Sequence, residues 1–200
     1  MKKLALFGLG LVLIGAGCSS APEVVDEVAE ETQEEVNETT MEFVQLSTEE
    51  ITGKQIRIST DKGDIVMELY PETAPMAVSN MINLAQEGFY NGVVFHRREE
   101  GFVIQGGDPE GTGRGGPGYT FADELNDEYT YEKGVLAMAN RGPDTNGSQF
   151  FIMLDDTGLP KAYTIFGRVT EGLDIVDAIV VGDVMNTVTV EDVAAEAVAE

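Results

Sequence analysis

The chain has 200 residues, 42% of them hydrophobic and 24% charged, which is enough for one domain with a sizeable core. Lys and Arg total 12 and Asp and Glu total 36, giving a formal net charge of −24 that argues against general nucleic-acid binding and attraction to anionic lipid. A single Cys excludes an internal disulfide framework and any multi-Cys metal site, and a single His leaves few routes to Ser-His or multi-His zinc chemistry.

The N-terminus begins Met1-Lys2-Lys3 and continues as an apolar run over 4–17. A positive start, a short hydrophobic stretch and then small residues have the layout of a secretory signal. At roughly fourteen residues the run is short of the ~20 that a membrane-spanning helix needs. Leu13-Ile14-Gly15-Ala16-Gly17-Cys18 resembles a bacterial-type lipobox, with Gly15 where a larger aliphatic residue is usual. That resemblance implies cleavage before Cys18, lipidation of Cys18 and a location outside the cytoplasm on a cell-envelope membrane. The expected organisation is a signal peptide over 1–17, an acidic tether over 18–51, one folded domain over 52–192 and a tail over 193–200. The tether assignment rests on eleven acidic and no basic residues between Cys18 and Glu50, a segment that repels itself and has too few apolar residues for a core. Residues 51–200 are themselves acidic, with ten basic and twenty-five acidic side chains.

Lys54–Thr60 alternates apolar and polar residues through Ile56 and Ile58. Asp61-Lys62-Gly63 supplies turn chemistry, and Ile65, Met67 and Leu69 resume the alternation, which predicts a hairpin. Thr73, Ala74 and Pro75 open a helix whose apolar face is Val78, Met81, Ile82, Ala85 and Phe89, with Gly88 as its stop. Short apolar runs at 93–96, 102–105, 135–139, 150–154 and 164–169 read as strands. A second helical pattern uses Leu173, Val176, Ile179 and Val180, and a last strand covers 187–190. Many short strands with two helices predict a closed or nearly closed β-barrel with the helices over its ends.

Gly111-Thr112-Gly113-Arg114-Gly115-Gly116 satisfies the dinucleotide-binding spacing G-x-G-x-x-G. Pro117-Gly118 follows where a helix would have to open, so a tightly turned surface loop is the better reading. The pairs Asp155-Asp156 and Glu99-Glu100 read as solvated surface, because neighbours in sequence seldom converge on one substrate. His96, with no second His, reads as a hydrogen-bonded structural residue. A different set carries more chemistry. Two readings are open for it: Arg97, Gln105 and Gln149 share one surface with Phe102, Val103 and Phe151 as a polar-edged apolar pocket for an apolar group beside a peptide-like unit, or the phenylalanines are core and Arg97 makes a surface ion pair.

Phe95-His96-Arg97, then Gly101-Phe102-Val103-Ile104-Gln105-Gly106-Gly107-Asp108, Met138-Ala139-Asn140 and the run from Gly142 to Ile152 closely resemble the cyclophilins, a class of peptidyl-prolyl cis-trans isomerases. The resemblance spans about 54–192. It implies a mainly β fold, a closed eight-stranded antiparallel barrel capped by two α-helices, and a substrate groove on the outer face. It further implies that Arg97 is catalytic, that Phe102, Val103, Phe151 and Leu159 take the proline ring, and that Gln105, Ala139, Asn140 and Gln149 hold the peptide backbone. Tyr163 falls where animal members carry His and supplies an aromatic wall. Val103 stands where many members have Met, Arg141 replaces a small residue beside the groove, and no Trp exists for the drug-binding position many members have. The expected partners are proline-containing peptides and unfolded proteins, with a membrane reached through Cys18. A monomer is expected, with neither cofactor nor metal.

Overall fold

The computed structural model describes residues 42–193. The expected signal segment, Cys18, the first part of the tether and the tail from 194 onward lie outside the described residues. The elements, in chain order, are α1 (Thr48–Ile51), β1 (Lys54–Thr60), β2 (Gly63–Leu69), α2 (Pro75–Gln86), β3 (Arg97–Glu99), β4 (Val103–Gly106), β5 (Val135–Met138), β6 (Phe150–Met153), β7 (Ile165–Glu171), α3 (Leu173–Ala178) and β8 (Thr187–Asp192). All eight strands join one antiparallel sheet in the order β3-β4-β6-β5-β7-β2-β1-β8.

The sheet curls without closing, which corrects the expectation of a closed barrel: β3 and β8 are its two edges and do not pair with each other. Register shifts at Val66/Met67 and at Leu136/Ala137 bend it. Across the gap the irregular stretches ahead of β3 and β8 exchange backbone bonds, Phe95 N–H to the Asp183 carbonyl (2.9 Å) and Met185 N–H to that of Val93 (2.9 Å), around one isolated bridge between Val94 and Val184. The Gly92 N–H donates to the Met185 carbonyl (2.8 Å) and the Gly182 N–H to that of Phe95 (2.9 Å), while β3 itself pairs with β4 alone.

Three helices stand among the described residues where two were expected. The additional one, α1, is a single turn opened by Ser47, whose backbone N–H and hydroxyl both donate to the Glu50 carboxylate (2.9 and 2.7 Å). Phe43 stacks on Phe121 at 5.2 Å, and Leu46 and Ile51 pack against the core. The packed region therefore starts ahead of the expected boundary at residue 52, because these three side chains have apolar surface to bury.

Helix α2 buries Val78, Met81, Ile82 and Ala85 as its periodicity requires. Its N-cap position, Ala74, has no side chain able to accept from the first turn. The free amides of Met76 and Ala77 instead donate to the Glu124 carboxylate, both at 2.9 Å. Burial pushes the Glu124 pKa up, and the two amides offset only part of that.

Strand alternation divides the apolar residues between two faces. Ile104, Leu136, Met138, Phe150 and Ile152 enter the main core beneath α2. Their neighbours Val103, Val135, Ala137, Phe151 and Met153 form a second, smaller cluster on the opposite face with Tyr131 and Ile165. Because both faces are covered, β5 and β6 are buried at every position. The second cluster is the floor of the site.

Candidate active site

Arg97, Gln105 and Phe151 are cross-strand partners on β3, β4 and β6, so their side chains share one face. The Arg97 guanidinium donates from Nη1 to Gln105 Oε1 (2.9 Å) and from Nη2 to Glu99 Oε1 (2.6 Å). Its ζ-carbon lies 5.8 Å from the centre of the Phe102 ring. Gln105 passes the chain on, its Nε2 donating to Gln149 Oε1, and Gln149 Nε2 donates to the Gly115 carbonyl, both at 2.9 Å. The guanidinium is thus fixed in orientation by two acceptors and an aromatic face. Arg has five N–H donors, so donors remain for a bound molecule.

Beside it is a notch of about 150 Å³ lined by Arg97, Phe102, Val103, Gln105, Ala139, Asn140, Phe151, Leu159 and Tyr163. Nine of the ten groove residues expected from the sequence therefore surround one space. Gln149, the tenth, is buried behind it and reaches it only through Gln105. Tyr163 stands edge-on to Phe151, with ring centres 5.5 Å apart and planes at 86°. The Tyr163 backbone is anchored by Tyr131, whose hydroxyl donates to the Tyr163 carbonyl (2.8 Å). Asn140 Nδ2 donates to the Ala162 carbonyl (2.8 Å), which fixes the opposite rim.

Glu99 is exposed, as its sequence reading has it, and also pairs with the guanidinium because residues i and i+2 of a strand share a face. That spacing was the signal available for it. His96, read as hydrogen-bonded, has neither ring nitrogen within reach of a protein partner although both are buried. Burial pulls its pKa down and outweighs the upward pull of Asp108, with a lesser downward pull from neighbouring Arg97, which favours the neutral ring.

The G-x-G-x-x-G stretch folds as a tight loop around Asp108, a residue with no solvent exposure. The Glu110 amide donates to Asp108 Oδ1 (2.8 Å), and those of Thr112, Gly113 and Arg114 donate to Oδ2 (2.9, 2.5 and 3.1 Å). Amides that would grip a pyrophosphate in a nucleotide site are spent on the protein's own carboxylate. Gly115 closes the nest, since a Cβ there would lie 2.0 Å from Asp108 Oδ1. Among the described residues there is no group of three or more His, Cys, Asp or Glu able to hold a metal ion.

A fixed cation over an apolar notch with amide-lined rims has no nucleophile and no acid–base pair. It suits binding and polarising a peptide unit. Residues 55–198 match the family model described as cyclophilin type peptidyl-prolyl cis-trans isomerase/CLD. The chain is 51% identical over 133 residues to peptidyl-prolyl cis-trans isomerase B of Bacillus subtilis, covering 66% of this chain and 93% of that protein. It is 47% identical over 135 residues to the peptidyl-prolyl cis-trans isomerase of Helicobacter pylori, covering 66% and 83%. The crystal structure of a cyclophilin type isomerase of Cryptosporidium parvum in the presence of the dipeptide Ala-Pro superposes with a TM-score of 0.63 at 34% identity, over 69% of this chain and 99% of that one.

Proposed function

The chain belongs to the cyclophilin-type peptidyl-prolyl cis-trans isomerase family and is an isomerase of that class, and from that premise we propose that Arg97 is its catalytic residue and that the enzyme works outside the cytoplasm, tethered to a membrane through Cys18. The observation that carries the first half is the guanidinium held by Gln105 and Glu99 at the rim of the notch.

Rotation about a peptide bond is resisted by conjugation of the nitrogen lone pair with the carbonyl, a barrier of about 18–20 kcal/mol. For an Xaa-Pro bond that means exchange over roughly tens to hundreds of seconds. A 10⁵-fold acceleration lowers the barrier by about 7 kcal/mol. No bond to a proton or carbon is made or broken, so the task is to favour the twisted state. Twisting leaves the lone pair localised on a pyramidal nitrogen. A guanidinium N–H aimed there is a stronger donor to the twisted imide than to either planar isomer, and such differential binding is what lowers a barrier. In this reading Phe102, Val103, Phe151, Leu159 and Tyr163 grip the ring. Gln105, Ala139 and Asn140 hold the flanking backbone, with Gln149 acting behind them by fixing Gln105, so one side of the bond stays still while the other turns. With a short Xaa-Pro peptide, magnetisation-exchange NMR is expected to show cis and trans signals interconverting many times faster on adding catalytic amounts of the protein. Peptide binding without faster exchange would reject the mechanism.

The second half rests on the sequence of the first fifty residues. The proposal is a lipoprotein with its signal over 1–17 removed, an acidic spacer from Cys18, and a monomeric isomerase domain assisting the folding of extracytoplasmic proteins. Intact-mass analysis of the protein purified from its native membrane should give a chain starting at an acylated Cys18. A mature chain that retains Met1, or an unmodified Cys18, would refute the anchor.

A further inference from the structure

The described residues hold ten Lys and Arg side chains, and eight of them stand within 4.0 Å of a carboxylate oxygen. In a protein with three acids for every base, pairing is the default. The two exceptions, Arg114 and Arg141, line the same cavity. It measures about 490 Å³, lies between the loop around Asp108 and the segment that follows β5, and shares Gln105, Ala139 and Asn140 with the proline notch. Arg141 Nη2 donates to the Arg114 backbone carbonyl (2.7 Å), which ties the two walls together and uses one of five donors. The carboxylate among the lining residues is that of Glu110, and it lies beyond 4.0 Å from both guanidinium groups. Its lining side chains carry two cations without an acidic partner against one anion, and the Asp108 and Asp123 carboxylates in the walls behind them are already bonded to loop amides and to Asn140 and Asn146.

We infer that Arg114 and Arg141 select an acidic side chain flanking the substrate proline, so that this isomerase prefers peptides with a carboxylate within two or three residues of the Xaa-Pro bond. The inference rests on the notch taking the proline ring. Because the two spaces share three wall residues, a peptide seated in one enters the other within a few residues, at ~3.3 Å per residue of extended chain. A peptide carboxylate there meets donors that no protein group satisfies, whereas a peptide ammonium meets like charge. Both arginines are exposed, so the preference is modest and screened by salt.

The test scans Glu, Gln and Lys through the positions on each side of the proline in a short peptide and measures KM for the full-length protein. At one position Glu should lower KM about fivefold relative to Gln, and Lys should raise it. The preference should shrink between about 0.01 M and about 1 M salt, as the screening length falls from ~30 to ~3 Å. The doubly reversed variant Arg114→Glu/Arg141→Glu should favour Lys instead, an inversion that a merely structural role would not produce. Equal KM values for Glu, Gln and Lys at every position would overturn the inference, as would a preference that persists unchanged at high salt. Exchange of the Gln peptides without any charge preference would overturn it alone. No exchange on any Gln peptide would overturn the reading of the notch itself, and the inference with it.

Discussion

Arg97→Ala is expected to lower kcat/KM on a proline peptide by about 10²–10³-fold, the loss that follows removal of one preorganised donor aimed at developing charge. The loss should appear in kcat, because a donor that is stronger towards the twisted imide contributes little to binding the planar one. Unfolding is not a competing explanation. The Arg97 side chain is 41% exposed and its ion pair with Glu99 lies at the surface, so loss of that pair costs at most about 1 kcal/mol of stability. Arg97→Lys should recover no more than about a tenth of the lost rate. A lysine keeps the charge but has no planar fork to span Gln105 and Glu99 while still facing the notch. Equal kcat for wild type and Arg97→Ala in the exchange experiment would remove Arg97 from the mechanism.

The groove was legible because its residues sit in short motifs that resemble the cyclophilins. Period-two alternation is a local property that sets Val103 with Gln105 on one face, whereas the resemblance, not the alternation, brought Arg97, Gln105 and Phe151 to one site before their strands were known to be neighbours. The pairing of distant edges is a different kind of fact. Whether β3 meets β8 depends on the curl accumulated over six intervening strands and on two bulges, neither of which has a composition signal, and the closed barrel was expected for that reason. Phe43 and Leu46 were hidden by the charge run ahead of them, although their burial depends only on the apolar surface of Phe121 and α2. The two unpaired arginines were invisible as a pair. Arg114 and Arg141 are twenty-seven residues apart and meet in the fold, where Arg141 donates to the Arg114 carbonyl.

Asp108→Ala is expected to cost about 3–4 kcal/mol of stability, among the largest effects of any single replacement outside the apolar core. The carboxylate is fully buried and accepts from four backbone amides. Alanine leaves those donors without their partner, inside a loop packed so closely on the carboxylate that a Cβ at Gly115 would lie 2.0 Å from Asp108 Oδ1. The effect has a pH signature. Burial alone pushes the Asp108 pKa up, but the amides of Glu110, Gly115, Gly113 and Thr112 together outweigh it and hold the carboxyl below its ordinary value. A carboxyl depressed on folding adds stability above its unfolded pKa of about 3.9. That stability is lost as pH falls below this value and through the lower folded pKa. Urea midpoints should therefore separate wild type from Asp108→Asn most at pH 7 and converge towards pH 2, and the difference between the two proteins cancels the titration of the other acids. Gln149 donates to the Gly115 carbonyl within the same nest and holds Gln105, which holds Arg97. Any Asp108 variant that still folds should also turn over proline peptides more slowly. A variant with wild-type midpoints at both pH values would show that the loop finds other acceptors for its amides, and the buried carboxylate would lose its place as the support of Arg97.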